Sequence, residues 1–344
     1  MKNLKTILAV VCLVMAAGAN ADDNFWLGAD ISGVSELEAH GVKFQDVKGK
    51  DTDLYKLMKD YGIGGVRLRV WVDPEGGFCA PYDVLQMAKR AQAEGMPVMI
   101  DFHYSDWWAD PGKQNIPARW KGMSLDEMKG ALKEHTSSTL QMLKNEGIDV
   151  RWVQVGNETT NGMLWDMARA ENQMPNYAAL TQVGYDAVKD VYPDAEVIVH
   201  LDNGWDEGLY NWMFDALKRN GAKWDMIGMS LYPFWSMQEG KVKSERELLD
   251  RAMKNIRDLK KKYGTDVMIV EAGVQANEPE AGKLFMDSLI NEARTLTDGA
   301  CRGVWYWAPE ADGVLDGYKL GAFQNRRPTV IMDSFREASR KNRR

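Results

Sequence analysis

Along the chain, one pattern of hydrophobic and polar positions repeats. A short apolar, β-rich run such as VMIDF or VMIV gives way to a longer charged run with apolar residues three and four apart. The apolar runs predict strands at 26–31, 65–72, 97–103, 150–157, 196–202, 225–231, 266–271 and 303–307. The amphipathic runs predict helices at 51–61, 82–95, 124–145, 176–191, 207–220, 244–263, 279–296 and 328–341. Strands that are apolar throughout, rather than alternating, are buried on both faces, as in a parallel sheet covered by helices. Eight such units, with no linker rich in proline, glycine or serine between them, predict a single α/β domain folded as a (β/α)8 TIM barrel. A doubly wound sheet would usually carry a glycine-rich turn after its first strand, and ISGVSE at 31–36 has no G-x-G-x-x-G.

The first residues break this pattern. Met1-Lys2-Asn3-Leu4-Lys5 is followed by an apolar run from Ile7 to Ala17 and by Ala19-Asn20-Ala21, the basic, apolar and A-x-A order of a secretory signal peptide. The reading is a signal at 1–21 and a catalytic domain at 22–344, exported to the periplasm, the cell surface or the medium. Cys12 follows Val11 rather than a small residue, so a lipid anchor is not expected. No later run reaches the ~18 apolar residues of a membrane span.

Composition narrows the partners. The 344 residues are 45% hydrophobic with 13 tryptophans and a formal charge of -7, which becomes more acidic once Lys2 and Lys5 leave with the signal. An acidic surface rich in indole does not attract phosphate backbones, so no nucleic acid is expected; a neutral ligand with flat apolar faces suits it. The chain is expected to act as a monomer. Cys79 follows the second strand and Cys301 precedes the eighth, placing them at opposite ends of a barrel about 17–20 Å tall. That is beyond disulfide reach, and both thiols are expected free.

In a barrel of this kind the working residues stand at the C-terminal ends of the strands. Those ends deliver Asp30, Arg69 with Trp71, His103 with Tyr104, Asn157-Glu158, Asp202-Asn203, Tyr232, Glu271, and Trp305 with Trp307. Glu158 and Glu271 close strongly apolar strands, the fourth and the seventh, so both carboxylates can face one central cleft. One glutamate alone would equally well be a buried ion pair; two across a cleft are what glycosidic cleavage needs, one as acid and one to attack the anomeric carbon or activate water. The gap between them decides retention or inversion, and spacing in sequence does not give it. Arg69 and Tyr232 are expected to keep one carboxylate ionised, and that charge to hold the other protonated.

Indoles pack in cores as well as against sugars, so loop tryptophans carry the most weight: Trp107, Trp108 and Trp120, in DWWADPGKQNIPARW, with Trp71, Trp235 and Trp307 beside them. The four histidines, His40, His103, His135 and His200, show neither H-x-H nor H-E-x-x-H, so no metal site and no cofactor are expected. Asp312 and Asp316 in ADGVLDGYK lack calcium-loop spacing and are read as a solvated loop.

Several motifs together resemble a known family. GADIS at 28–32, RLRVWVDP at 67–74, HYSDWWADPGKQ at 103–114, VQVGNE at 153–158, IGMSLYPFW at 227–235, VEAG at 270–273 and VWYWAPE at 304–310 resemble the clan A retaining glycoside hydrolases, and within them family 53, the endo-β-1,4-galactanases. The Asn-Glu pair and the second glutamate also fit other clan A enzymes such as β-mannanases, whereas HYSDWWADPGKQ is particular to the galactanases. The resemblance implies a retaining enzyme acting on β-1,4-galactan and type I arabinogalactan, the side chains of pectin, with Glu158 as acid/base and Glu271 as nucleophile. It further implies that Asn157 binds the sugar 2-hydroxyl, that Arg69 and Tyr232 orient Glu271, and that Asp30, His103, Asp106, Trp107 and Trp307 line or support the subsites. AGVQANEPE after Glu271 departs from the family pattern, and the short loop after the eighth strand has no recognisable calcium cage. A barrel that binds glycans without cleaving them is the alternative outside enzymology; retention of both glutamates argues against it.

Overall fold

The computed structural model describes residues 25–312 and 317–341; the expected signal segment, Cys12 and Asp316 lie outside them. Eight parallel strands close into a barrel in which each pairs with its neighbours in the series, β1 (Trp26–Asp30), β2 (Gly65–Val70), β3 (Val98–Phe102), β4 (Val150–Val155), β5 (Glu196–Leu201), β6 (Met226–Leu231), β7 (Asp266–Ala272) and β8 (Cys301–Trp307), the last returning to β1. Helices α1 (Leu54–Asp60), α2 (Pro81–Ala93), α3 (Leu125–Asn145), α4 (Ala170–Val191), α5 (Glu207–Arg219), α6 (Glu245–Tyr263), α7 (Pro279–Thr295) and α8 (Asp333–Lys341) cover it. This is the (β/α)8 TIM barrel that the alternation predicts.

The helix ends follow local chemistry. Ser124 and Glu127 form a capping box at the start of α3, and Gly264, at φ 77°, stops α6. Two starts differ from the sequence reading. α4 begins six residues early because Pro175 sits inside it, with a non-helical Gln173 at the bend. α8 begins late because 328–332 is taken up by a short hairpin and a 3-10 turn.

Inside the barrel the inward positions change character with height. The floor is apolar: Met99, Trp152, Ile198, Met226, Met268, Val270 and Trp305 pack together. Trp305 fits because Gly28 and Gly65 leave room for it; a Cβ on Gly28 would lie 2.1 Å from the indole and one on Gly65 2.9 Å from it. Two residues further along their strands, the same inward rows turn polar, giving Arg67, Asp101, Gln154 and His200, all buried. The apolar core between strands and helices surrounds this column.

β7 departs from strict alternation. Val270 belongs to the floor, so period-two spacing would turn Glu271 outward toward the helices. The register slips by one residue beside β6, where Met229 pairs with Ile269 but Ser230 with Glu271, and again beside β8, where Val304 pairs with Ile269 and Tyr306 with Ala272. This bulge re-aims Glu271 into the barrel. Cys79 and Cys301 are both free and buried, as their placement at opposite ends requires.

Candidate active site

At the C-terminal end of the barrel the polar column opens into a cleft of about 370 Å3. Its walls include His103, Trp108, Asn157, Glu158, Asp202, Ser230, Tyr232, Trp235, Glu271, Trp307 and Tyr318. Both glutamates singled out in the sequence therefore line one space.

Glu271 is 5% exposed. One carboxylate oxygen, Oε1, is ion-paired with a guanidinium nitrogen of Arg67 at 2.9 Å, and the other, Oε2, accepts from the Tyr232 hydroxyl at 2.9 Å. Burial pushes its pKa up to about 7, with Arg67 and the Tyr232 hydrogen bond acting against that rise. Arg67 also meets Asp30 at 2.7 Å and Asp101 at 2.9 Å. Burial opposes the charge on Arg67, but Asp101, Glu271 and Asp30 outweigh it and hold the guanidinium protonated.

The cation beside Glu271 is thus Arg67 rather than Arg69. Both side chains point inward, two positions apart on β2, but Arg67 is the deeper one and reaches across the polar layer. Arg69 sits nearer the rim, where its guanidinium lies 4.0 Å from the ring centre of Trp108 and 4.7 Å from that of Trp71.

Glu158 stands just past the end of β4, on a turn where Gly156 has φ 101° and Glu158 itself φ 43°. Its Oε1 accepts from the Ser230 hydroxyl at 2.6 Å. Burial, and then the negative charges of Glu271 and Asp202, hold its proton well above the ordinary range for a glutamate. The two acids therefore differ: of the pair, Glu271 ionises first because Arg67 is in contact with it alone. Asp202, on the same wall, is itself pushed up to about 6 by burial.

The other sequence-predicted residues divide into those at the cleft and those beneath it. Asn157 is in the wall; its Oδ1 accepts from Arg67 at 2.8 Å and its Nδ2 donates to the Ala109 carbonyl at 2.8 Å, which leaves one N–H for the cleft. His103 is also in the wall, but both ring nitrogens are used within the protein. Nδ1 accepts from the Trp71 indole at 3.3 Å and the Ala109 amide at 3.1 Å, so Nε2 donates to Asp101 at 3.0 Å. Asp30 does not line the cleft: Ser32 occupies one oxygen and Arg67 the other. Asp106 is not in the wall either, because its oxygens accept from the backbone amides of Asp73 at 3.0 Å and Ala118 at 2.7 Å, tying two rim loops together.

Among the tryptophans, Trp307 and Trp108 have ring centres 5.6 Å apart in the wall, and Trp235, also in the wall, is 47% exposed. Trp107 is 53% exposed, with its ring 4.8 Å from Trp71 on the rim. Trp120, read as a loop platform, is only 3% exposed and packs on His135 in the core. Asp312, read as solvated, is buried and accepts from the Arg326 amide at 3.2 Å.

The sequence reading missed Arg67, Gln154, His200 and Ser230, which connect the two acids. Inward parity on β2, β4, β5 and β6 was the available signal: Arg67, His200 and Ser230 lie two residues before strand ends already noted, and Gln154 three before Asn157. Among the described residues, no group of three or more His, Cys, Asp or Glu side chains is placed to hold a metal ion, and no helix is long and apolar enough to cross a membrane.

Comparison with known proteins places this geometry in context. Residues 26–283 match glycosyl hydrolase family 53. The chain is 32% identical over 334 residues to a probable arabinogalactan endo-β-1,4-galactanase A of Neosartorya fischeri, covering 89% of this chain and 88% of that one. It is 33% identical to an endo-β-1,4-galactanase of Bacillus subtilis, covering 85% of this chain and 71% of the other. In three dimensions it is similar to a fungal β-1,4-galactanase, with a TM-score of 0.81 and 29% identity over 90% of this chain and 98% of that one. The GH53 catalytic domain of Ignisphaera aggregans gives a TM-score of 0.82 at 28% identity, over 94% and 98% of the two chains.

Proposed function

Since the chain belongs to glycosyl hydrolase family 53, we propose that it is an endo-β-1,4-galactanase that cleaves internal bonds of galactan and type I arabinogalactan by retaining double displacement. The observation that carries the reading is the unequal pair of carboxylates in one cleft: Glu271 ion-paired with Arg67, and Glu158 protonated beside it.

In the first step Glu271 attacks the anomeric carbon while Glu158 gives its proton to the departing glycosidic oxygen. Once Glu158 is a carboxylate, it takes a proton from water, which attacks the glycosyl-enzyme and frees Glu271. Tyr232 donates to the Glu271 oxygen not held by Arg67 and so limits its rotation. The free N–H of Asn157 suits the 2-hydroxyl, where a hydrogen bond strengthens in the transition state. Trp307, Trp108 and Trp235 offer faces for the C–H surfaces of neighbouring sugars. Carboxylates alone supply this chemistry, so the reading needs no cofactor. It also includes export through segment 1–21 to the periplasm, the cell surface or the medium, and action as a monomer.

Reducing-sugar release from a panel of polysaccharides tests the substrate. Release from β-1,4-mannan or cellulose without release from β-1,4-galactan would overturn the reading. NMR of the first-formed anomer tests the mechanism, and an inverted product would exclude double displacement.

A further inference from the structure

The hydrogen bonds that reach Glu158 run in one direction, and Arg67 sets it. A guanidinium only donates. Its Nε reaches Oε1 of Gln154 at 2.7 Å, which fixes that amide and turns its NH2 group toward Nδ1 of His200 at 2.9 Å. The backbone N–H of Glu158 points to the same ring nitrogen at 3.3 Å. One acceptor, Oδ1 of Asn157, also lies 3.1 Å from Nδ1. A proton on Nδ1 would satisfy that oxygen and oppose two donors, the nearer of which Arg67 holds in place. Nδ1 is therefore the acceptor, and burial, with Arg67 nearby, keeps the ring neutral. Its single proton sits on Nε2 and is donated to Oγ of Ser230 at 2.8 Å. The Ser230 hydroxyl then has its own proton to give to Oε1 of Glu158 at 2.6 Å.

We propose that Arg67, Gln154, His200 and Ser230 form a one-way hydrogen-bond chain that keeps Oε1 of Glu158 an acceptor and confines the transferable proton to Oε2. The proposal rests on the reading of Glu158 as acid/base. Arg67 thereby acts on both carboxylates, on Glu271 by contact and on Glu158 through three side chains. Ser230 is a positioning residue. Its donation favours the ionised form that Glu158 must adopt once its proton has left, so the chain serves the second half of the reaction as well as the first.

The test is the pH dependence of kcat/KM on β-1,4-galactan, whose basic limb reports loss of the Glu158 proton. The other titratable groups acting on Glu158 or its neighbours, Glu271, Asp202, Arg67, Tyr232, Tyr210 and Tyr318, remain in place in Ser230→Ala. Removing the donor should raise the basic limb by about one pH unit, and Ser230→Thr, which keeps the hydroxyl, should restore it. In the wild-type enzyme, 15N-histidine NMR should show His200 carrying its proton on Nε2, without titration between about pH 5 and 8. An unshifted limb in Ser230→Ala with activity lowered equally at all pH, or a His200 proton on Nδ1, overturns the chain. Near wild-type activity in Glu158→Gln overturns instead the acid/base reading beneath it, and neither Ser230 result can produce that outcome.

Discussion

The surroundings of Glu271 and Glu158 form two walls of one cleft and make an instructive contrast. Each wall presents a glutamate at the end of an apolar strand, Glu271 buried and Glu158 half-buried, with its proton held above the ordinary range. On the β7 wall a guanidinium lies 2.9 Å away and a phenol completes the contact. On the β4 wall the direct side-chain contact is a neutral hydroxyl, with Asp202 adding repulsion. Burial alone would leave two neutral acids. One cation, placed unequally, makes Glu271 the first of the two to ionise, and in the proposed mechanism that difference separates nucleophile from acid.

The contrast can be broken most severely at Glu271. Glu271→Ala should lower kcat by on the order of 10^5, on polysaccharide and on aryl glycosides alike, because it removes the carboxylate that Arg67 and Tyr232 hold in place for attack. Glu158→Gln should cost about 10^2 to 10^4 on galactan, but far less in glycosyl-enzyme formation from an aryl glycoside whose leaving group needs no proton. Equal losses on both substrates in stopped-flow assays would erase the distinction between the walls.

Removing the cation tests its source. Arg67→Met leaves Asp30, Asp101 and Glu271 buried without a counter-charge, and should lower unfolding stability in urea by about 3–5 kcal/mol. It should also move the acidic limb of the rate profile upward, since Glu271 then ionises less readily. Arg69→Met should do neither, because that guanidinium rests on indoles rather than on Glu271.

Tyr232→Phe should reduce kcat about tenfold and raise the acidic limb modestly, through loss of one hydrogen bond to a carboxylate. The last effect concerns stability. The Glu271 pKa rises from the ordinary 4.5 to about 7 in the folded protein, so between those values the native state keeps a proton that the unfolded chain has released. Stability from this group is complete below that window and is lost as pH rises through it. Urea titrations across the window should show a shallower slope in Glu271→Gln.

Local sequence determined a great deal. Strand and helix periods recur eight times without a linker, and that alone gives the barrel, its order and the end at which chemistry occurs. It also brought Asn157, Glu158, Tyr232 and Glu271 to one rim, because strand ends are local features of the chain. Depth and direction were not local. Arg67 and Arg69 have the same parity in RLRVW, and only closure of the barrel shows which one crosses to β7. Trp120 and Asp312 look like loop residues until neighbouring elements cover them. In VMIVEAG, period-two spacing turns Glu271 outward; the register slips against β6 and β8 turn it in. Glu158 reaches the cleft through the turn at Gly156, whose positive φ is set after the strand has ended. Side-chain period belongs to the strand, whereas register, depth and charge neighbours belong to the strands packed beside it, so the tertiary structure alone could decide how the two acids differ.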